Sequence, residues 1–216
     1  MKLVIKNLYK KLDNESILED VSLSISLESN IFIFTGENGS GKSTFFKLLS
    51  GIIVPDKGSI EINENRSYYN WIKENSFYLP PGDRGLIYRL NGLNNIKYLI
   101  SLKGKRLTSD LTTLYSLAEE LNCMNLLTKK AYKMSSGEKK KIQLLATLVG
   151  NFKIVFLDEP TSFLDIESIK NLSNILNKLS YTDVFIITHD QFLIHRLKGT
   201  KYSLVNKTIL EEGGYQ

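Results

Sequence analysis

The chain has 216 residues, 42% of them hydrophobic and 24% charged, with a formal net charge of +5. That balance fits one globular α/β domain with a full core and excludes a disordered chain. No apolar run approaches the roughly 20 residues that cross a bilayer, Cys123 is the only cysteine and excludes an intrachain disulfide, and the dense cluster Lys139-Lys140-Lys141 has no aromatic neighbour of the kind nucleic-acid binding favours. The segment Met1 to Lys6 is strand-like and broken by lysine, unlike a signal peptide. We therefore expect a cytoplasmic protein with no nucleic-acid partner, its basic residues mostly solvated, and Cys123 as a small core residue.

From the N-terminus, Lys2 to Leu8 alternates weakly and Val21 to Leu27 alternates strictly between apolar and serine, as a strand with one buried face does. Asp13-Asn14-Glu15-Ser16 between them is turn-forming, so an antiparallel layer is expected first.

Ile31-Phe32-Ile33-Phe34-Thr35 is then a buried strand that feeds Gly36-Glu37-Asn38-Gly39-Ser40-Gly41-Lys42-Ser43-Thr44. This loop spells G-x-x-x-x-G-K-S, a phosphate-binding pattern. Gly36, Gly39 and Gly41 can adopt backbone conformations closed to residues with a Cβ, which lets successive N–H groups face phosphate oxygens. The following helix adds its positive end. Lys42 is expected to reach the β- and γ-phosphates, and the Ser43 hydroxyl to ligate Mg²⁺. That helix is expected over Thr44 to Ser50, ending at Gly51.

A turn at Pro55-Asp56-Lys57-Gly58 leads to a strand over Ser59 to Ile62, and Ser76 to Leu79 is another strand, cut by Pro80-Pro81-Gly82. From about Leu93 to Leu127 the period becomes helical, with Leu111, Leu114, Leu117, Ala118 and Leu121 on one face. A further helix is expected over Lys139 to Val149. Ile154 to Leu157 is a buried strand ending in Asp158 and Glu159. A polar helix with Ile169, Leu172, Leu176 and Leu179 follows, then the strand Val184 to Ile187 ending at Thr188-His189-Asp190, a closing hairpin from Lys201 to Val205 and Thr208 to Glu211, and a loose tail. Strands alternating with helices imply a mostly parallel sheet, with ligands gathered beyond its carboxyl ends. Asp158, leaving such a strand, suits a Mg²⁺ partner, the adjacent Glu159 can activate the attacking water, and His189 is placed to touch the γ-phosphate.

Together these motifs resemble the nucleotide-binding domain of ATP-binding cassette (ABC) proteins over essentially the whole chain. Gly36 to Thr44 is similar to the Walker A loop and Ile154 to Glu159 to Walker B with its catalytic glutamate. Met134-Ser135-Ser136-Gly137-Glu138 is similar to the signature L-S-G-G-Q, Thr161 to Asp165 to the D-loop, and Thr188-His189-Asp190 to the switch histidine. Ser135 lies 93 residues after Lys42 and 23 before Asp158, a spacing that makes the family assignment specific.

The resemblance implies a P-loop NTPase (RecA-like) α/β core with an N-terminal antiparallel layer and a helical subdomain inserted at about 84–136, before the signature. It implies ATP and Mg²⁺ as cofactors. Two nucleotide-binding domains would pair head to tail, so that Ser135, Gly137 and Asp165 of one copy meet the nucleotide held by the other. It also implies a separate transmembrane permease subunit, with this chain peripheral on the cytoplasmic face of the membrane.

Three positions depart from the family pattern. Leu12 stands where an aromatic ring supports adenine, so base stacking is expected to be weakened or shifted to Tyr9. Pro80-Pro81-Gly82-Asp83 stands where a glutamine is usual, so Asp83 or water is expected at the metal and Arg84 to Asn95 on the partner-facing surface. Ser136 replaces the first signature glycine. The segment Asp83 to Ile96 is similar to that of ABC-2 exporters and tilts the reading toward export. The alternatives are a non-transport ABC ATPase, such as a cluster-assembly subunit, and a nucleotide-binding module without useful catalysis.

Overall fold

The computed structural model describes residues 1–62, 67–107 and 111–212. The tail read from sequence at Gly213 to Gln216 lies outside them. Two sheets carry the described strands. The smaller has the order β2-β1-β4 and is antiparallel, built from β1 (Lys2–Leu12), β2 (Glu15–Ser26) and β4 (Lys57–Ile62). Asp13 and Asn14, with φ of 48° and 68°, make the two-residue turn between β1 and β2. Both are residue types that tolerate left-handed backbone, and such a turn matches the twist of its strands. The strands run longer than the alternation alone marks out, because pairing continues through register shifts past Ile5 and Leu8.

The larger sheet has the order β5-β6-β7-β3-β8-β9, from β3 (Ile31–Thr35), β5 (Ser76–Leu79), β6 (Ile154–Asp158), β7 (Asp183–Ile187), β8 (Thr200–Val205) and β9 (Thr208–Glu212). All pairings are parallel except the hairpin β8–β9. Its register decides where the site forms. Phe34 pairs with Ile187, Ile187 with Asp158, and Leu157 with Leu79, so β3, β7, β6 and β5 end in one line. The loops that leave these four strands are therefore neighbours.

Alternation along the central strands divides the core in two. Phe32, Phe34, Phe156 and Phe185 face the smaller sheet together with Phe45 and Phe46 of α1 (Lys42–Leu49). Their rings pack tightly; Phe34 lies 5.1 Å from Tyr202 and 5.9 Å from Phe185, both nearly parallel. Ile33, Val155, Leu157 and Ile186 face the opposite way, against α5 (Ser136–Val149) and α6 (Ile166–Lys178). That second core continues into α3 (Gly92–Ser101) and α4 (Thr112–Glu120), which occupy the segment expected to be helical before the signature. Two short 3₁₀ turns, Met124–Leu127 and Ala131–Lys133, bring the chain to α5. Cys123 is fully buried in this core, and burial pushes its thiol up to about 11.

Two helices begin earlier than their apolar periodicity suggests. α1 starts at Lys42, directly out of the glycine-rich loop. α5 starts at Ser136, three residues before the expected Lys139, because Ser135 and Glu138 form a reciprocal cap. A helix not anticipated from sequence, α2 (Tyr68–Asn75), precedes β5. Its Tyr, Trp and Ile content favours strand, but tertiary contacts override that preference: Ile72 is fully buried and the Tyr68 hydroxyl donates to the Leu49 carbonyl. α7 (Gln191–Arg196) completes the described helices.

Candidate phosphate-binding site

The aligned strand ends enclose a pocket of about 270 Å³, lined by Asn38, Gly39, Gly41, Lys42, Ser43 and Thr44 on one wall and by Asp158, Glu159 and His189 on the other. Residues separated by more than a hundred positions in sequence thus meet across one cleft. Gly36, Gly39 and Gly41 have φ of 139°, 81° and 103°, the left-handed region that side chains avoid. Gly41 has a second constraint, because a Cβ there would lie 2.7 Å from Cγ2 of Ile17, which also lines the pocket.

Lys42 is only 7% exposed, and its ammonium donates to the carbonyls of Gly36 (2.8 Å) and Glu37 (2.7 Å). Burial lowers its pKa, while Glu159 and Asp158 across the cleft work against that shift. The cation is thus held over its own loop by neutral carbonyls, and an incoming phosphate would offer it charged acceptors instead.

On the facing wall, Asp158 is 1% exposed and accepts a 2.9 Å hydrogen bond from the Tyr78 hydroxyl. Glu159 carries a left-handed backbone, φ 49°, with its N–H donating to the Ile187 carbonyl at 2.9 Å. Such a conformation in a residue with a Cβ costs on the order of 1–3 kcal/mol, and it turns the side chain out of the strand toward the cleft mouth. Burial raises the Glu159 pKa, and His189, whose Nε2 lies 3.7 Å from Oε1, opposes the rise. A carboxylate with a raised pKa beside a histidine is suited to taking a proton from water.

The donor chemistry fits a small hard cation. Ser43 and Asp158 offer one hydroxyl and one carboxylate in the same pocket, and among the described residues no group of three His, Cys, Asp or Glu could form an all-protein cage. Mg²⁺ is held in this sparse way, by one or two protein oxygens with phosphate and water completing the shell.

The signature and D-loop residues lie elsewhere. Ser135 caps α5, accepting from the Glu138 N–H at 3.3 Å while its own N–H donates to the Glu138 carboxylate at 2.9 Å. Gly137 packs under the D-loop, where a Cβ would lie 2.5 Å from the Phe163 carbonyl oxygen. Asp165 caps α6, its carboxylate accepting from the Ser168 N–H at 2.7 Å. None of the three lines the phosphate pocket of its own chain.

Several expectations are corrected. Pro81, not Asp83, lines the pocket at the position of the missing glutamine. Asp83 is engaged by the start of α5, with Lys139 at 3.3 Å and a side-chain hydrogen bond from Ser136 that heads the causes lowering its pKa. The lysine run is not uniformly solvated: Lys140 is fully buried and donates to the Pro80 carbonyl at 3.3 Å. Two placements stand apart from these corrections: Leu12 is 43% exposed, and Tyr9 lines a cleft at the β1–β2 hairpin rather than the phosphate pocket. Tyr78 carries no local sequence motif that marks it as a site residue. Its signal was its place on β5, since Tyr78 pairs with Phe156, two residues before Asp158 on the same face.

Comparison with known proteins agrees with this geometry. The family model described as ABC transporter matches residues 18–162. A molybdate/tungstate import ATP-binding protein of Methanocaldococcus jannaschii is 35% identical over 80% of this chain, which spans 58% of that relative's length. A tungstate uptake system ATP-binding protein of Peptoclostridium acidaminophilum is 27% identical over the full length of both. Among solved structures, a putative ABC transporter ATP-binding protein of Pyrococcus furiosus aligns with TM-score 0.79 at 27% identity, covering 94% of this chain and 98% of that one. A dimeric ATP-binding cassette in a post-hydrolysis state with ADP and phosphate shares the fold, with TM-score 0.79 at 19% identity over 99% of this chain and 100% of that one. With the family model covering the glycine-rich loop, the signature and the acidic strand end, and with the first and last of these facing each other across one cleft, the chain belongs to the ABC transporter family and is an ATPase.

Proposed function

We propose that this chain is the ATP-hydrolysing subunit of a transporter whose membrane-spanning part is a separate permease, and that two copies, or this chain and a relative, close over two nucleotides. The observation that carries the reading is the pocket in which Lys42 and Ser43 face Asp158, Glu159 and His189. The loop amides from Gly36 to Thr44 bind the phosphates, and Lys42 neutralises charge that builds on the β–γ bridge as it breaks. Ser43 and Asp158 would hold Mg²⁺, which when bound supplies charge neutralisation at the phosphate oxygens. Glu159 takes the proton of the attacking water, and His189 holds the γ-phosphate.

The placement of Ser135 and Gly137 outside their own chain's pocket supports a composite site. Ser135 uses one lone pair in its cap, so its O–H can donate to a phosphate of the other copy, as can the unpaired amides of the first turn of α5. Asp165 sits beside that surface at the start of α6 and would contact the same nucleotide.

A permease partner has a fitting surface. A largely apolar groove of about 250 Å³ lies between the core and the helical region, lined by Ile52, Leu79, Pro80, Leu99, Leu102 and Gln143 among others. Ile52 and Leu102 are more than half exposed. No helix of the described residues is long and apolar enough to cross a membrane. Relatives named as ATP-binding proteins of import and uptake systems support a separate membrane part, with this chain on its cytoplasmic side. The relatives named for molybdate/tungstate import and tungstate uptake favour inward transport over the export suggested by the Asp83 to Ile96 segment.

The test is Glu159→Gln, which keeps shape and removes the base. ATP binding should persist while turnover falls by at least about 100-fold, the usual scale for losing general-base catalysis; unaltered turnover would refute the assignment.

A further inference from the structure

We propose that Tyr78 is a positioning residue for the ATPase reaction, holding the Asp158 carboxylate in the orientation that receives the metal. The inference rests on the reading of Asp158 as a metal-binding group.

The geometry follows from strand pairing. Tyr78 lies opposite Phe156 in the parallel pair β5–β6. Asp158 is two residues further along β6 and shares the Phe156 face, so the two side chains are diagonal neighbours at a separation that only a long side chain bridges. The phenol spans it, with a hydroxyl-to-Oδ2 distance of 2.9 Å. The side chain is partly buried against the aromatic core, and the residue also lines the edge of the apolar groove.

A carboxylate turns easily, because its terminal torsion is broad and two-fold. A donor locked on one oxygen selects one orientation and so fixes where the second oxygen faces. The choice of donor also matters. A phenol brings no charge, so Asp158 keeps its full attraction for a cation, whereas a lysine in the same place would compete with the metal. Lys140, the nearby buried cation, donates instead to the Pro80 carbonyl. Outer partners of this kind orient metal ligands, and their loss weakens metal binding about 10–100-fold. With Pro81 at the glutamine position of the pocket wall, Tyr78 is the β5 residue that reaches the metal-binding carboxylate.

The experiment compares Tyr78→Phe, Asp158→Asn and the native chain by Mn²⁺ titration in the presence of ADP, read by electron paramagnetic resonance, and by ATP turnover as a function of Mg²⁺ concentration. Phenylalanine keeps the ring and its packing. We expect Mn²⁺ affinity to fall about 10-fold in Tyr78→Phe, turnover at limiting Mg²⁺ to fall with it, and excess Mg²⁺ to restore turnover; metal-free ADP affinity should not change. A purely structural role would not be rescued by Mg²⁺, so failure of rescue overturns the proposal. Unchanged Mn²⁺ affinity in Tyr78→Phe, with weakened affinity in Asp158→Asn, overturns it while leaving the reading of Asp158 intact. Unchanged affinity in Asp158→Asn removes that reading and the proposal together.

Discussion

The Asp83 carboxylate and the Lys139 ammonium lie 3.3 Å apart, which ties the loop after β5 to the first turn of the signature helix within one chain. Both side chains are partly exposed, so the pair contributes on the order of 0.2–1 kcal/mol. Asp83→Ala should therefore lower the melting temperature slightly and leave Mn²⁺ affinity unchanged, since Pro81 rather than Asp83 lines the phosphate pocket. Calorimetry and a metal titration on the same variant check both halves.

Gly137→Ala tests the contact between the signature and the D-loop. Alanine is ordinarily the better helix former, but here its Cβ would sit 2.5 Å from the Phe163 carbonyl oxygen, an atom that cannot rotate away. The variant should lose about 1–3 kcal/mol of stability, the scale of overpacking. Urea denaturation measures it, and a gain in stability would contradict the packing described.

Lys140 makes stability depend on pH. Its burial, partly offset by Asp158, Asp83 and Glu159, brings its pKa down from 10.5 to about 8. Between these values the unfolded chain holds a proton on this lysine that the folded chain does not, so stability rises with pH through that window. Lys140→Met keeps length and removes the titration. The difference in melting temperature between native chain and variant should shift in favour of the native chain from pH 8 to 10.5, and a flat difference would count against the buried amine.

Gly41→Ala should abolish high-affinity nucleotide binding while the chain still folds. The position combines φ 103° with a Cβ that would collide with Ile17, so the loop must reshape before it can cradle phosphate. Equilibrium binding of a fluorescent ATP analogue reads the loss.

The parts of this molecule legible in sequence were those encoded by local pattern: the glycine-rich loop, the apolar strands ending in Asp158 and His189, and the signature serine. What stayed hidden depends on which strands pair. Tyr78 reaches Asp158 only because β5 joins β6, a pairing across some eighty residues. Lys140 reads as surface until the loop at Pro80 is laid over it, and Asp83 as a metal ligand until α5 is seen to begin at Ser136. Helix α2 is not legible in sequence because its burial against β4 and β5, not its residue preferences, makes it helical.

In the proposed pairing, ATP held by one copy is sealed by Ser135 of another. Light scattering on Glu159→Gln, with and without Ser135→Arg, tests it directly at saturating ATP. A doubling of mass is expected for E159Q alone and none for the double variant, although both bind ATP with the same affinity. A double variant that pairs as readily as E159Q would contradict it, and E159Q that stays monomeric with ATP bound would rule out pairing of two copies.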